Sequence, residues 1–362
     1  MAPAEITSGL EYSYNHLQDG KPPYFDDENN RFTELTTVAD QLMKTIALFS
    51  QTEWNFSPVM LTLGARLDRY EISDLLRTDG ALSGNVISPR LSLLYHVAEN
   101  LQLRSAFARG FRAPQIFDED LHIETSGARQ VIHRNDPNLR QETSNSYTLS
   151  LNYSHETFYS QYQFLVEGFV TRLHNPFANE YGQPNDEGVV VYTRMNAEEG
   201  ATVMGINFEF NAALSRKFQW QSGFTFQKSR FQEPQEFDER RFFRTPDSYG
   251  YLTLNRQLSK SLDLSVTSSY TGPMLVPYFG PRLDKPEEGR LNTTRSFLDT
   301  GVKLAYRIKL TPHLEFQVNG GVKNLFNSYQ KDFDIGIERD PGYMYGPSLP
   351  RMVYLGIQLG SI

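Results

Sequence analysis

The chain has 362 residues, no cysteine, 13% aromatic residues and a formal net charge of -8 at pH 7. The lack of cysteine excludes a disulfide scaffold and a thiolate metal site, and the mild acidity argues against nucleic acid as a partner. No segment approaches the roughly 18 consecutive apolar residues of a membrane helix, but a mean hydropathy of -0.49 is compatible with a membrane β-barrel, whose strands need an apolar residue only at every second position.

Apolar and polar residues alternate along most of the chain, which is the pattern of β-strands with one apolar face. From Leu61 to Asp68, leucine and alanine occupy one face, and threonine, glycine, arginine and aspartate occupy the other. The same alternation recurs at 101–108, 147–153, 218–227, 262–267, 298–308, 314–323 and 353–359. A soluble sandwich gives the same period, so the alternation alone leaves sandwich and barrel open.

The connections between these segments alternate in length. Short turns are predicted near 56–58, 98–100, 154–156, 215–217, 259–261 and 309–312, and long loops at about 16–40, 71–86, 110–142, 173–187, 231–246, 274–293 and 325–348. Tight turns on one rim and long loops on the other are typical of bacterial outer-membrane barrels. The sequence therefore predicts an all-β fold, a transmembrane antiparallel β-barrel of about 14 strands with both termini on the turn side.

The segment from Val189 to Ala213 could be two strands, but we interpret it as one long strand with a bulge near Glu199–Gly200. Glycine inside a strand often marks a bulge, and a second strand would make the strand count odd. Aromatic residues at strand ends predict the interfacial girdles of a membrane barrel. They include Tyr70, Tyr153, Phe218, Tyr270 and Tyr306.

The most specific motifs lie between Leu101 and Leu139. An alternating strand is predicted to end at Gly110, which permits a bend, and Pro114 has no N–H and cannot lie inside a ladder. The first motif consists of Gly110, Phe111, Arg112, Ala113 and Pro114, and it resembles the sequence that closes a mid-barrel strand in TonB-dependent outer-membrane receptors. After a long polar loop, a second motif resembles its counterpart in the same family and consists of Asp136, Pro137, Asn138 and Leu139.

Other segments resemble strands of this family in the same order, at 50–54, 63–70, 87–95, 194–210, 318–330 and 339–359. The resemblance implies a receptor with an amino-terminal plug domain inside a barrel of about 22 strands. Residues 1–362 resemble roughly the last 14 of those strands. We therefore interpret the whole chain as a partial β-barrel with no plug domain present.

The resemblance also implies a function. The parent receptor would lie in the outer membrane of a Gram-negative bacterium, in contact with its lipid, and import a scarce metal chelate such as an iron-siderophore, haem or cobalamin. The TonB-ExbB-ExbD complex would supply energy through the missing plug. Two alternatives stay open: a soluble β-sheet binding module, and a free-standing 14-stranded passive pore, which requires strand Glu5–Asn15 to pair with Val353–Ser361. No motif of an enzyme is present, so we predict that the chain is not one.

Candidate ligand contacts come from the loops. Haem receptors of this family place a ligating histidine between the two motifs, where this chain has His122 and His133; ordinary polar loop histidines are the alternative. Arg112 in the first motif is a further candidate. An aromatic rim over a bulky ligand is predicted from Tyr343 and Tyr345, together with Phe333 and Tyr278.

Charged residues give two weaker predictions. The acidic runs 26–28 and 118–120 could bind Ca²⁺ through hard oxygen ligands, although solvated acidic loops are the alternative. Inward charges, including Arg66, Asp68, Asp263 and Arg307, are predicted to form interstrand ion pairs or to contact a plug, whereas in an open pore they would set ion selectivity. No resident cofactor is predicted.

Overall fold

The computed structural model describes residues 4–21, 23, 25–26, 31–32, 34, 36–76, 81–114, 131–181, 190–215, 217–286, 288–336, 339–340 and 342–361. The strands are β1 (Ala4–Lys21), β2 (Phe25–Asp26), β3 (Arg31–Phe32), β4 (Thr36–Asn55), β5 (Val59–Asp74), β6 (Leu82–Ala98), β7 (Leu101–Arg112), β8 (Val131–Asn135), β9 (Glu142–Glu156), β10 (Ser160–His174), β11 (Phe177–Tyr181), β12 (Val190–Asn196), β13 (Ala201–Leu214), β14 (Phe218–Phe231), β15 (Ser248–Gln257), β16 (Leu262–Thr271), β17 (Leu275–Tyr278), β18 (Arg290–Thr293), β19 (Phe297–Thr311), β20 (Leu314–Lys323) and β21 (Met352–Ser361). A single-turn 3-10 helix spans Glu236–Asp238, and within the described ranges no helix is long and apolar enough to cross a membrane.

One antiparallel sheet contains 14 strands in the order β1-β4-β5-β6-β7-β9-β10-β13-β14-β15-β16-β19-β20-β21, which confirms the predicted all-β fold and strand number. The remaining strands form small sheets of their own, β11-β12-β8, β17-β18 and β2-β3. All of them lie in the long connections. We call the rim that carries these connections the loop side and the opposite rim the turn side.

The register places apolar residues on one face of the sheet and polar residues on the other. Leu63 pairs with Leu91, and both side chains are more than 40% exposed, as expected for a face that contacts lipid rather than a second sheet. On the opposite face, Arg66 contacts Glu11 and Asp68, each at 2.8 Å. Predicted interstrand ion pairs are therefore present on the polar face, between Arg66 and Glu11 and between Arg307 and Asp263 at 2.8 Å, whereas the Arg66–Asp68 pair lies within β5.

The connections alternate in length as predicted. The strands β4 and β5 are separated by residues 56–58 alone, whereas β20 and β21 are separated by residues 324–351. Two turns lie later than predicted. One is at 312–313, and the other is at 157–159, where the Thr157 amide donates to the Ser160 carbonyl oxygen at 2.7 Å. Many strands also extend further into the predicted loops, so the ladders are longer than the sequence pattern indicated.

The prediction of one continuous strand from Val189 to Ala213 is wrong. The chain forms β12 and β13 with a break at 197–200, and only β13 belongs to the large sheet, so the even strand count is kept. Gly200 has a positive φ of 82°, which glycine adopts without a Cβ penalty, and its carbonyl oxygen accepts the Gln232 amide at 3.0 Å. This glycine redirects the chain instead of forming a bulge in a continuous ladder.

Two further expectations are corrected. The strand does not end at Gly110: β7 continues to Arg112, with Gly110 paired to Ser144. Tyr70 is not a girdle residue, because it is only 2% exposed and packs against Ile72 and Val86.

The two ends of the large sheet bear on the pore hypothesis. In the described residues, β1 pairs with β4 and β21 pairs with β20, and no ladder joins β1 to β21. The pore requires such a ladder, so the strand pairing gives it no support.

Candidate functional site

The first motif closes β7 and anchors the start of a long connection. Ala113 is 3% exposed and Pro114 is buried with it. A small apolar core surrounds Ala113 and contains Tyr70, Ile72 and Val86. The Tyr70 ring also stacks on Phe111, with ring centroids 6.0 Å apart. Because these contacts come from β5 and β6, the motif ties the connection after β7 to the neighbouring strands.

Two guanidinium groups lie over the ring of Phe177 at the start of β11. The Cζ atom of Arg112 is 5.5 Å from the ring centroid, and that of Arg194 is 5.6 Å away. Such contacts are each worth about 0.5–2 kcal/mol. Arg194 is buried and Arg112 is exposed, so Arg112 is the one of the pair that a ligand on the loop side can reach.

The second motif forms a tight turn between β8 and β9. The Asp136 carboxylate accepts the Asn138 amide at 2.6 Å, and the Asp136 carbonyl oxygen accepts the Leu139 amide at 3.0 Å. The Asp136 amide in turn donates to the carbonyl oxygen of Arg194 at 2.8 Å, and Leu139 is 5% exposed. Asp136 therefore fixes the turn and attaches it to β12.

Hydrogen bonds join the two motifs. The Asn135 side-chain amide donates to the Pro114 carbonyl oxygen at 3.3 Å, and the Tyr70 hydroxyl donates to Gln141 Oε1 at 2.8 Å. Asn196 holds the next connection as well, because its side chain accepts the Arg140 amide at 2.8 Å and donates to the Asn175 carbonyl oxygen at 2.8 Å. The predicted motif residues thus form one scaffold on the loop side.

The structure describes only part of the predicted histidine site. His133 lies in β8, opposite Tyr192 of β12, and its side chain is outside the described part of the structure. His122 lies outside the described residues altogether, as do Asp118, Glu119 and Asp120 of the predicted calcium loop. Their roles as ligands stay predictions.

The predicted aromatic residues Tyr343 and Tyr345 come together with Tyr278 on the loop side. The Tyr278 and Tyr343 ring centroids are 4.6 Å apart, and those of Tyr343 and Tyr345 are 5.1 Å apart. Tyr278 is 1% and Tyr343 5% exposed, so these two rings pack together rather than forming an open rim. We call the group of Tyr278, Tyr343, Tyr345, Asp332 and Asp334 the tyrosine cluster.

Two aspartates receive the phenol hydroxyls of the tyrosine cluster. The Tyr345 hydroxyl donates to the Asp332 carboxylate, with oxygen distances of 2.7 and 2.9 Å, and the Tyr343 hydroxyl contacts the same carboxylate at 3.2 Å. The Tyr278 hydroxyl donates to Asp334 Oδ1 at 2.9 Å. Arg282 contacts that second pair, at 2.6 Å from Asp334 Oδ1 and 2.7 Å from the Tyr278 oxygen.

A buried glutamine holds the tyrosine segment in place. Gln330 is 0% exposed, and its side-chain amide donates to the Tyr343 carbonyl oxygen at 2.8 Å while Oε1 accepts the Tyr345 amide at 2.9 Å. Arg244, from the connection between β14 and β15, donates to the Gly342 carbonyl oxygen at 2.5 Å. Three long connections therefore meet at the tyrosine cluster, since Tyr278 belongs to the one between β16 and β19.

Burial governs the protonation of these groups. It raises the pKa of Tyr345 and of Tyr343 above the ordinary phenol value, so both hydroxyls keep their protons at neutral pH. Burial also raises the pKa of Asp340, against hydrogen bonds from the Phe279 and Gly342 amides that lower it. Both tyrosines therefore act as hydrogen-bond donors to Asp332.

Several residues of the cluster were missed by the sequence prediction. Asp332, Asp334, Arg282 and Gln330 were not proposed as site residues. Asp332 and Asp334 have the same spacing as Tyr343 and Tyr345, but this spacing does not reveal the contacts, because both tyrosines contact Asp332 whereas Asp334 contacts Tyr278. Pairing one with the other required knowledge of how the connection folds back on itself.

Comparison with known proteins decides the family. The family profile described as "TonB dependent receptor-like, beta-barrel" matches residues 3–325 of this chain. The chain belongs to this family. It is therefore an outer-membrane protein of Gram-negative bacteria, and the apolar face of the sheet is the face that contacts lipid.

Individual relatives agree with this assignment. The chain is 22% identical over 301 residues to the ferric enterobactin receptor of Pseudomonas aeruginosa, covering 78% of this chain and 37% of that protein. Among solved structures, the ferric-catecholate import receptor Fiu of E. coli K12 has a TM-score of 0.66 at 18% identity, with 99% of this chain and 52% of that one covered. The siderophore receptor PiuA of Acinetobacter baumannii has a TM-score of 0.68 at 12% identity, with 99% and 53% covered.

The chain covers only part of the length of each of these relatives. This TonB-dependent receptor barrel spans 37% of the curated relative and about half of the solved structures it matches. At these identities the structural likeness concerns the fold. The family is one of transport receptors, in agreement with the prediction that the chain is not an enzyme.

Proposed function

We propose that this chain is the barrel portion of a receptor that imports a ferric siderophore across the outer membrane with energy from TonB. The observation that carries the proposal is its similarity along 301 residues to a ferric enterobactin receptor. The names of the solved relatives Fiu and PiuA, which refer to catecholate and siderophore uptake, point to the same class of ligand.

The chemistry of the loop side supports an anionic, aromatic chelate as the ligand. Arg112 exposes a guanidinium group beside the ring of Phe177, and Arg282 lies over Tyr278 with its Cζ atom 4.8 Å from the ring centroid. Guanidinium groups attract anions and also stack on planar rings, so both features suit a catecholate-type complex. Haem and cobalamin are the alternative ligands, and His133 and His122 are the residues that haem would use.

The energy source is part of the same proposal. By family resemblance, the partner is the TonB-ExbB-ExbD complex, which would act on a plug rather than on the barrel. The passive-pore hypothesis makes the opposite prediction, since a pore needs no energy source. Uptake that stops when TonB is deleted therefore separates the two.

A binding assay followed by uptake tests the proposal. Ferric enterobactin, haem and cobalamin are each titrated into the chain in detergent, and quenching of tryptophan fluorescence is followed. We expect saturable binding of ferric enterobactin, weakened about tenfold in Arg112→Gln by loss of a charge-assisted contact. The matched control Arg256→Gln, an exposed arginine at the turn end of β15, should bind as the parent does.

Transport is then measured in iron-starved cells that carry the receptor gene containing these residues and lack other siderophore receptors. Uptake of labelled ferric enterobactin in the presence of TonB and its loss without TonB are the expected results. If haem or cobalamin binds more tightly than ferric enterobactin, the siderophore is not the ligand. Uptake that persists without TonB would contradict the proposed energy source.

A further inference from the structure

A row of basic side chains crosses five strands near the loop side. The ladders from β7 through β9, β10 and β13 to β14 contain no register shift, so residues paired across them form continuous rows. One row, which we call the basic row, consists of Arg109, Asn145, Arg172, Thr202 and Arg230. Its three arginines are separated by uncharged residues, and none of its five positions is acidic.

The basic row lies on the apolar face of the sheet, which contacts lipid. The adjacent row toward the turn side consists of Phe107, Tyr147, Val170, Met204 and Lys228. Tyr147 is 51% and Met204 46% exposed, in the same range as other apolar residues of this face. Because residues two positions apart on a strand share a face, the arginines of the basic row lie on the same face as these apolar side chains. The basic row therefore borders the lipid-contacting surface on its loop side.

The cations of these two rows form a patch without acidic partners. We call this group the basic patch, and it consists of Arg109, Arg172, Lys228 and Arg230. All four side chains are exposed, and in the part of the chain that the structure describes no carboxylate forms an ion pair with any of them. Arg230 is also opposite Arg241 in an isolated bridge, and Arg241 contacts Glu239 at 2.6 Å. Like charges opposite each other destabilise a strand pair, so an anion beside Arg230 would offset a repulsion that is already present.

Another arginine on the same face and rim has a different environment. Arg69 of β5 lies two residues beyond Leu67, which is 49% exposed, and pairs with Ile46 of β4, which is 53% exposed. Its guanidinium group contacts Glu71 of the same strand at 3.3 Å. The charge of Arg69 is therefore balanced by a neighbouring acid, whereas the basic patch presents its charge to the membrane interface.

We propose that the basic patch binds the phosphate groups of a glycolipid in the outer leaflet of the outer membrane. A guanidinium group matches a phosphate with two parallel hydrogen bonds, and a lysine ammonium adds a point charge. Successive arginines of the basic row are two strands apart, which is about 9–10 Å, so they can contact separate phosphate groups. The strands of such barrels are tilted by about 35–45°, so the row crosses the interface obliquely and covers a range of headgroup depths.

The position of the basic patch selects this occupant. Long loops are extracellular in outer-membrane barrels, so the patch faces the outer leaflet, whose glycolipid carries phosphates on its lipid A anchor. The acyl chains of that lipid would lie against the apolar side chains of the adjacent row, including Tyr147 and Met204. A transported chelate would not reach the patch, because the polar face, where Arg66 contacts Asp68, is on the other side of the sheet.

Native mass spectrometry of the full chain in detergent tests the proposal. The chain is mixed with bis-phosphorylated lipid A, with lipid A from which both phosphates have been removed, or with phosphatidylglycerol, and the bound lipid is quantified. We expect lipid A to bind at least about tenfold more tightly than its dephosphorylated form. Arg172→Gln combined with Arg230→Gln should weaken lipid A binding by about tenfold or more, since each cation near a membrane surface contributes about fivefold.

Two single variants are matched controls. Arg69→Gln removes an arginine from the same face and rim, and Arg256→Gln removes one from the turn end of β15, so both should bind lipid A as the parent does. Equal binding of the two lipid A forms would overturn the proposal, as would equal binding of phosphatidylglycerol. Unchanged affinity in the folded double variant, or an equal loss in Arg69→Gln, would also overturn it.

A second measurement on the unaltered chain covers the case in which a variant fails to fold. Raising the salt concentration from about 0.05 to 0.5 M should weaken binding of lipid A several-fold, because salt screens exposed charges, and should leave binding of the dephosphorylated form unchanged. Lipid A binding that does not respond to salt would contradict a charge-based site. The probes contain no siderophore, so the outcome is independent of the proposed transport function.

Discussion

The hydroxyl of Tyr70 donates a hydrogen bond to Oε1 of Gln141 at 2.8 Å, across 71 positions of the sequence. Tyr70 is on β5, and Gln141 lies two residues after the second motif and directly precedes β9. The bond therefore connects the end of the long connection after β7 to a strand that lies two places away in the sheet. Phe111 stacks on the same ring from the other end of that connection.

Replacing Tyr70 should destabilise the barrel through this core. Because the ring is 2% exposed, Tyr70→Ala is expected to lower the free energy of unfolding by about 3–5 kcal/mol, and Tyr70→Phe by about 1 kcal/mol for the lost hydrogen bond. Thermal unfolding in detergent measures both. The control Tyr159→Ala removes a tyrosine that is 76% exposed. If Tyr159→Ala and Tyr70→Ala lowered the unfolding temperature equally, packing around Tyr70 would not be a source of stability.

The large sheet could be predicted from the sequence because it is specified by two local features, the alternation of apolar and polar residues and the lengths of the loops. Alternation from Leu61 to Asp68 determines which face each side chain occupies, and the loop lengths determine which rim each connection joins. The tyrosine cluster was not predictable in the same way. Asn292 and Tyr343 are 51 positions apart, and their contact depends on how two irregular connections pack. The break at Gly200 was interpreted as a bulge, since a glycine in a strand pattern is compatible with a bulge or a break, and only strand pairing shows that β12 lies outside the large sheet.

Gly200 should not tolerate a side chain. An added Cβ would lie 2.5 Å from the Leu173 carbonyl oxygen, and the φ of 82° is itself unfavourable for other residues. We expect Gly200→Ala to lower the free energy of unfolding by more than about 1–2 kcal/mol, because strain and the contact add. Gly168→Ala is the matched control on β10, since a Cβ added there would have no heavy atom within 4 Å. Equal unfolding temperatures for the two variants would contradict this account.

The ion pairs on the polar face should be unequal in energy. Asp68 is 1% exposed, so Arg66→Met leaves a buried carboxylate without its cation and should cost about 3–5 kcal/mol of unfolding free energy. Glu11 is 53% exposed, and Glu11→Gln should cost far less, because water screens its contact with Arg66. Chemical denaturation in detergent compares them. Adding Asp68→Asn to Arg66→Met should recover part of the loss, and an absence of recovery would argue against burial of the charge as the cause.

The connection between β14 and β15 should loosen as the pH rises. Burial raises the pKa of Glu236 to about 8 from an ordinary 4.5, and within the described structure its Oε2 atom is buried without a hydrogen-bond partner. Between these pH values the folded state keeps a proton that the unfolded state loses. Stability contributed by the protonated group is therefore complete below pH 4.5 and declines as the pH rises toward 8.

Hydrogen exchange of residues 232–247, corrected for intrinsic rates, measures this effect. Protection should fall between pH 4.5 and 8 in the parent chain, whereas Glu236→Gln, which cannot ionise, should keep the same protection at both values. Glu233→Gln is the matched control, because Glu233 is exposed on the same connection and its replacement should leave the pH dependence intact. A pH dependence that persists in Glu236→Gln would assign the effect to another group.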